Sequence, residues 1–305
     1  MGNLKNKSLG SGQSRRKFIE TSLMAGGVAA LHGLPYLNHL ARNKEYTVQQ
    51  VIDLILKDVP GAPLSQTVDT LKSGSGDSVV TAIVTTMFAT IEVIRKAAAL
   101  NANFIIAHEP TFYNHTDDVN WTGRNNIVSK KQELIGHYGI TIWRFHDQWH
   151  AHRPDGIMYG VLKKTGWLQY NQGAEKVFSI PSTGLEQIIG HLKTSLNIPY
   201  VRMIGDPSSS CKKIALLPGA WGGQNQISLI EKEQPDLVIV GEVHEWETAE
   251  YVRDARLLGS PVSLVVLGHA ASEEPGMEWL VDWLQPKLEG IRVTHIASGS
   301  ALVVG

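Results

Sequence analysis

The sequence predicts an α/β protein made of two α/β lobes with mixed, largely parallel sheets. Three observations carry that prediction. From Tyr46 onward, short β-branched runs alternate with segments of helical periodicity. The alternation starts again near Lys176, and no low-complexity segment or long linker separates the two series. Strand after strand is apolar until its end and then delivers an imidazole or a carboxylate.

The elements follow in order. "TVQQVIDLILKDV" (47–59) has apolar residues at helical spacing and stops at Pro60-Gly61. "VVTAIVTT" (79–86) reads as a strand, "TIEVIRKAAAL" (90–100) as a helix and "ANFIIAH" (102–108) as the next strand. "VSKKQELIGHYG" (128–139) is helical with a glycine end, and "ITIWRFH" (140–146) is again a strand. The second series runs "KVFSIP" strand, "GLEQIIGHLKTSL" helix and "YVRMIG" strand, then "KKIALLPG" (212–219). A helix over Gln226 to Lys232, "DLVIVGE" (236–242), a helix through Ala255 and "PVSLVVLGH" (261–269) come next. A helix over Met277 to Leu288 and "RVTHIAS" (292–298) close it. The expected organisation is a leader over 1–42, an amino-terminal lobe over 46–170 and a carboxyl-terminal lobe over 175–305.

Composition narrows the function classes. With 305 residues, 43% hydrophobic and 19% charged, the chain has ample material for a core. A formal net charge of -1 gives no reason to expect nucleic acid or an anionic membrane as partner. One cysteine, Cys211, excludes an intrachain disulfide framework and a cysteine-rich zinc module. Histidine is the informative residue: six of the twelve fall within 45 residues, from His108 to His152.

Near the amino terminus, Ser14-Arg15-Arg16-Lys17-Phe18-Ile19 resembles a twin-arginine export signal, with a weakly apolar Ala/Gly-rich run after it. That resemblance implies the twin-arginine machinery as a partner and a periplasmic or extracytoplasmic location. It also implies a membrane tether if the signal stays uncleaved, since Val28-Ala29-Ala30 is a poor cleavage site.

In parallel α/β sheets the functional face lies at the carboxyl ends of the strands. Those ends carry His108-Glu109, His146-Asp147 with His150, Glu242 with His244, and His269 followed by Glu273. A single such histidine is most often a satisfied core or surface residue; four strands repeating the pattern point to a metal site. "HAASE" and "HDQWH" each place two ligand-type residues four apart, so that both can face one point on a helix or tight turn. Imidazole with carboxylate suits Zn, Mn, Fe or Co, and glutamate can bridge two ions. The residues by themselves lead to a centre of one or two divalent ions and no further.

"VDTLKSG", the stretch from "VTAIVTT" to "AHEPTF", "FHDQWH", "GEVHEWETAEY" and "GHAASEEPG" together resemble the NGG-interacting-factor-three-like family, whose members include GTP cyclohydrolase type 2 homologues. The resemblance covers residues 47 to 305. It implies a two-lobed α/β fold with two divalent metals between the lobes and a homo-oligomer, often a toroidal hexamer. By matching position it makes His108, His269 and Glu273 metal ligands. Two positions depart from the pattern: Glu109 stands where the family has a second His, and His150 where it has a bridging Asp. Both can bind metal, and Asp147 and, less directly, Asp155 are candidates to compensate. His146 is either a third ligand or an outer partner of one. Glu242 and His244 can supply a general base, bind substrate or simply cap a helix. "PGAWGGQNQ" (218–226) is either an anion-receiving helix start or a plain tight turn. The leading expectation is an exported metal-dependent hydrolase acting on a small-molecule substrate. The alternative is a non-catalytic metal-binding scaffold that forms a ring.

Overall fold

A computed structural model of the chain describes residues 44–122 and 126–303. Two five-stranded sheets with helices on both faces make the two lobes, both within one compact unit.

The first lobe opens with α1 (Val48–Leu56). Thr47 caps it reciprocally with Gln50: the Gln50 amide donates to Thr47 Oγ1 (3.2 Å) and the Thr47 amide to Gln50 Oε1 (2.9 Å). Then come β1 (Leu71–Ser73), β2 (Ala82–Thr86), α2 (Ile91–Ala99), β3 (Phe104–Ala107), α3 (Asn126–His137) and β4 (Thr141–Arg144). The strand order is β1-β4-β3-β2 with one more strand beyond β2. Only β1 is antiparallel. β2, β3 and β4 are buried at every position, as expected of parallel strands covered on both faces. Ile83, Phe104, Ile106 and Trp143 meet α1 on one face; Val84, Ile105 and Ile142 meet α2 and α3 on the other.

A short helix, α4 (Asp147–Ala151), and α5 (Gly156–Lys164) lead into the second lobe. It comprises β5 (Val177–Gly184), α6 (Leu185–Leu196), β6 (Arg202–Ile204), β7 (Ser210–Leu217), α7 (Gly223–Glu233), β8 (Leu237–Val240), α8 (Glu250–Leu257) and β9 (Ser263–Val266). The order is β5-β7-β8-β9-β6, parallel at the centre and antiparallel at both edges. Sequence order thus predicts the alternation, while β1 and α5 were not anticipated and α4 was expected only as a helix or a tight turn. Each is short or lies in a polar, glycine- and proline-broken stretch.

The last two elements join the lobes. α9 (His269–Leu284) begins eight residues before the expected helix, directly after β9, and packs Met277, Leu280 and Leu284 into the first lobe's core. β10 (Arg292–His295) then pairs in parallel with β2. Residues 292–295 therefore belong to the first sheet, although the chain order groups them with the second. Burial explains it: β2 would otherwise leave an open edge, and α9 has already carried the chain across. Gly160 of α5 and Gly276 of α9 let these helices touch backbone to backbone; a Cβ on either would overlap the other helix.

The expectation of a membrane tether does not stand. Among the described residues no helix is long and apolar enough to cross a membrane, and the twin-arginine-like segment lies outside them.

Candidate metal centre

His108 and Glu109 continue the pairing of β3 past its last strand residue. Their amides donate to Thr86 O (3.1 Å) and Met87 O (2.9 Å) before Pro110, which has no N–H, ends the run. The His108 side chain is wholly buried and its Nδ1 lies 3.1 Å from Phe145 O. A carbonyl can only accept, so the ring proton sits on Nδ1 and Nε2 presents a bare lone pair. That Nε2 is buried with no hydrogen-bond partner among the described residues. Burial, with His146 and His150 alongside, holds the His108 pKa well below the ordinary imidazole value, so the ring stays neutral.

His146 and His150 are set by α4. Asp69 takes the first amides of that short helix: Oδ1 accepts from His146 (2.8 Å) and Asp147 (3.0 Å), and Oδ2 from Gln148 (2.8 Å). In return Asp147 Oδ2 accepts from Thr67 Oγ1 (2.9 Å) and the Val68 amide (3.0 Å). His146 Nδ1 bonds Asp147 Oδ1 at 2.9 Å, and His150 Nδ1 bonds Asp155 Oδ2 at 3.0 Å. The rings of His108, His146 and His150 lie with centroids 4.6 to 5.1 Å apart. Burial alone would lower the His150 pKa; the Asp155 bond and the charges of Glu273 and Glu109 outweigh it and raise the pKa. Burial would raise Asp147; the bonds from His146, Val68 and Thr67 lower it instead.

α9 brings the remaining donors. His269 and Glu273 are four apart on its first turns, so they share a face. His269 Nδ1 is 2.7 Å from Glu242 Oε1, while its Nε2 is 3.1 Å from Glu109 Oε1 and 3.0 Å from Glu273 Oε2. Burial would depress this imidazole, but its bonds to the three carboxylates push the pKa up to about 12. Without a cation His269 therefore carries a proton on Nε2, in the position a metal would take. Glu109 stays ionised: burial would raise its pKa, and His269, His146 and Arg144 bring it down.

Arg144 was not among the expected site residues. It is wholly buried, and Nη2 donates to Glu109 Oε2 (3.2 Å), Nε to His108 O (3.2 Å) and Nη1 to His115 O. The signal was present: a lone arginine inside the apolar strand "ITIWRFH" needs a buried partner. Gly219 was also missed. Its φ of +74° puts its backbone against Glu273, and a Cβ there would overlap Glu273 Oε1.

Six of the expected residues thus converge: His108, Glu109, His146, His150, His269 and Glu273. Two groups within them, His108/His146/His150 and His108/Glu109/Glu273, have ligand atoms within 4.8 Å of one another. Asp147 and Asp155 serve as outer partners that orient imidazoles. Glu242 does the same for His269, on the side facing away from the other donors. His244 is not brought in. It bonds Glu247 Oε2 (2.9 Å) and stacks on the exposed Trp246. Glu247 in turn accepts from the Gly223 amide (3.1 Å), so the start of α7 is taken by the chain's own carboxylate.

The residues fit a divalent cation. All four imidazoles tie Nδ1 to an oxygen and leave Nε2 for the centre, which is how protein ligands to Zn, Mn or Fe are held. Neutral nitrogen and anionic oxygen donors, with no thiolate, are the chemistry such ions take.

Across residues 47–301 the sequence matches the family model of Duf34/NIF3 (NGG1p interacting factor 3). The chain belongs to this family. A curated relative, the GTP cyclohydrolase 1 type 2 homolog of Clostridium perfringens, is 24% identical over 234 residues, covering 72% of this chain and 85% of its own. Staphylococcus aureus protein SA1388 has the same fold, with a TM-score of 0.65 at 17% identity over 85% of this chain and 99% of its own. The NIF3-related protein of Bacillus cereus gives a TM-score of 0.65 at 16% identity, over 86% and 99%.

Proposed function

We propose that this Duf34/NIF3 protein is a metal-dependent hydrolase whose centre is held by His108, Glu109, His146, His150, His269 and Glu273. One observation carries the reading. Four imidazoles, from three strand ends and two lobes, each tie Nδ1 to an oxygen, and three of them turn Nε2 towards the same two buried carboxylates, with His150 ringed beside them. Structural histidines have no reason to share that arrangement.

A divalent ion there, whether Zn, Mn, Fe or Co, supplies Lewis acidity that polarises a carbonyl, imine or phosphoryl group and makes water acidic enough to attack near neutral pH. The chain's own residues supply the rest. Asp147, Asp155, Glu242 and Phe145 O fix the four rings. His269, with His146 and Arg144, keeps Glu109 ionised, and Arg144 holds its Oε2 so that Oε1 faces His269. Glu242 is half-exposed, and its bond from His269 holds its carboxyl below the usual range. It is therefore ionised, and the part we assign to it is to hold the His269 ring with Nε2 facing the centre and to relay protons between the site and solvent.

The name carried by the curated relatives makes GTP the first compound to test. Purified protein is loaded with Zn, Mn, Fe or Co in turn and assayed by nucleotide chromatography, with a panel of phosphate esters and cyclic amides beside it. Turnover that is lost on chelation and in Glu242→Gln, while Glu242→Gln still retains metal, supports the hydrolase. A loaded protein that binds metal but turns over nothing in the panel supports the scaffold instead.

A further inference from the structure

Two divalent ions bring four positive charges, and the inner donors of this chain carry two negative ones. His108, His146, His150 and His269 are neutral when Nε2 acts as a ligand, which leaves Glu109 and Glu273. The charge of Glu109 is already matched by Arg144, which occupies its Oε2 at 3.2 Å. Asp117 also lies near Arg144, at 3.6 Å, but is itself answered by Lys72 at 3.1 Å. Glu109 therefore offers one oxygen, Oε1, and cannot bridge two ions through both. At position 150 stands an imidazole whose Nδ1 is spent on Asp155, so it too offers one atom. Asp147, Asp155 and Glu242 stand behind the rings with side chains 30%, 30% and 52% exposed, against 10% for Glu109 and 4% for Glu273, so water meets part of their charge. Glu273 turns Oε2 to His269 (3.0 Å) and His108 (3.7 Å) while its Oε1 lies against the Gly219 backbone, so it too presents one oxygen. A second ion would lack a two-oxygen bridge and a full counter-charge, and an uncompensated buried charge is strongly disfavoured.

We propose that the centre holds one divalent ion on its own residues and takes a second only together with an oxyanion, the phosphate or carboxylate group of the substrate, which bridges the pair. The proposal rests on the metal-centre reading above and extends it to the substrate: a molecule that carries such a group.

The test uses the full chain loaded with excess Mn²⁺ and dialysed against chloride buffer alone, with millimolar inorganic phosphate, or with millimolar acetate. Mn content is read by mass spectrometry and the ions' mutual coupling by electron paramagnetic resonance. One uncoupled ion per chain in chloride is expected, and a second, coupled ion in phosphate; the same gain in acetate would extend the class to carboxylates. His150→Asp, which restores a carboxylate, is expected to hold two ions in chloride alone. Two ions in the unaltered chain without any oxyanion would overturn the proposal and leave the metal centre standing. A single ion in every buffer would overturn it as well. No retained ion in any buffer would overturn the metal-centre reading itself.

Discussion

The two sheets meet at the centre with opposite kinds of edge. The carboxyl ends of β3 and β4 bear His108, Glu109, Arg144 and His146, all side chains that hold charge or donate nitrogen. The ends of β7, β8 and β9 bear Gly219, Gly241 and Gly268. These glycines bond to one another, to Glu242 and to α9: Glu242 N to Gly219 O (3.0 Å), Gly268 N to Gly241 O (3.0 Å), and Gly219 N to Ser272 Oγ (2.9 Å). One lobe therefore supplies ligands and buried charge, and the other supplies room for a helix that inserts two more ligands. Buried ions follow the same division, since Arg144, Lys131 and Asp117 all lie in the first lobe.

If that division is real, charge deletions should hurt the first lobe and spare the second. The largest effect is expected from Arg144→Met. It strands the Glu109 carboxylate and removes donors from two carbonyls, and should cost about 3–5 kcal/mol in denaturant unfolding of the metal-free protein. The exposed Arg202–Glu245 pair of the second lobe is the contrast. Arg202→Met should change stability by less than about 1 kcal/mol.

Lys131 sharpens the same point through pH. Burial lowers its pKa from 10.5 to about 8, although Nζ donates to Thr111 O at 2.6 Å. The unfolded chain then binds more protons than the folded one between those values, so this group makes stability rise with pH across that window. Below about pH 8 its full cost is felt, at most ~3 kcal/mol. Lys131→Met should flatten the rise in unfolding free energy between pH 8 and 10.5. An unchanged slope would assign it to other groups.

Much of this was legible in the sequence, and the misses have causes. The strand-end histidines and carboxylates could be found because a parallel sheet gathers its strand ends, whatever the tertiary detail. The direction of each ring could not, because the acceptors that set it, such as Phe145 O for His108, are long-range or backbone atoms. The return of β10 to the first sheet was hidden because a strand's pattern shows burial, not its neighbour. α4 could be read only as a helix or a tight turn, because its stability comes from the distant Asp69 rather than from its own five residues.

Smaller effects probe the fine structure. Asp155→Asn keeps a side-chain oxygen for the cap of α5 but weakens the bond that orients His150. Metal affinity by competition with a chelating dye should fall about 10–100-fold. On the glycine edge, Gly219 and Gly222 share a φ of +74°, but only Gly219 faces Glu273. Each substitution to alanine should cost about 1–2 kcal/mol of stability from the left-handed backbone. Gly219→Ala alone should also reduce metal retention. Equal retention in both would show that the second lobe's glycines are there for the turn and not for Glu273.

The most direct test of the account is metal content after loading and exhaustive dialysis, comparing the unaltered chain with His269→Ala. His269 is the donor through which the second lobe reaches the first, at 3.1 Å from Glu109 Oε1. The account predicts that the unaltered protein keeps at least one divalent ion per chain and that His269→Ala keeps a small fraction of it while remaining folded by circular dichroism. An unaltered protein that retains no ion after loading with Zn, Mn, Fe or Co would contradict it.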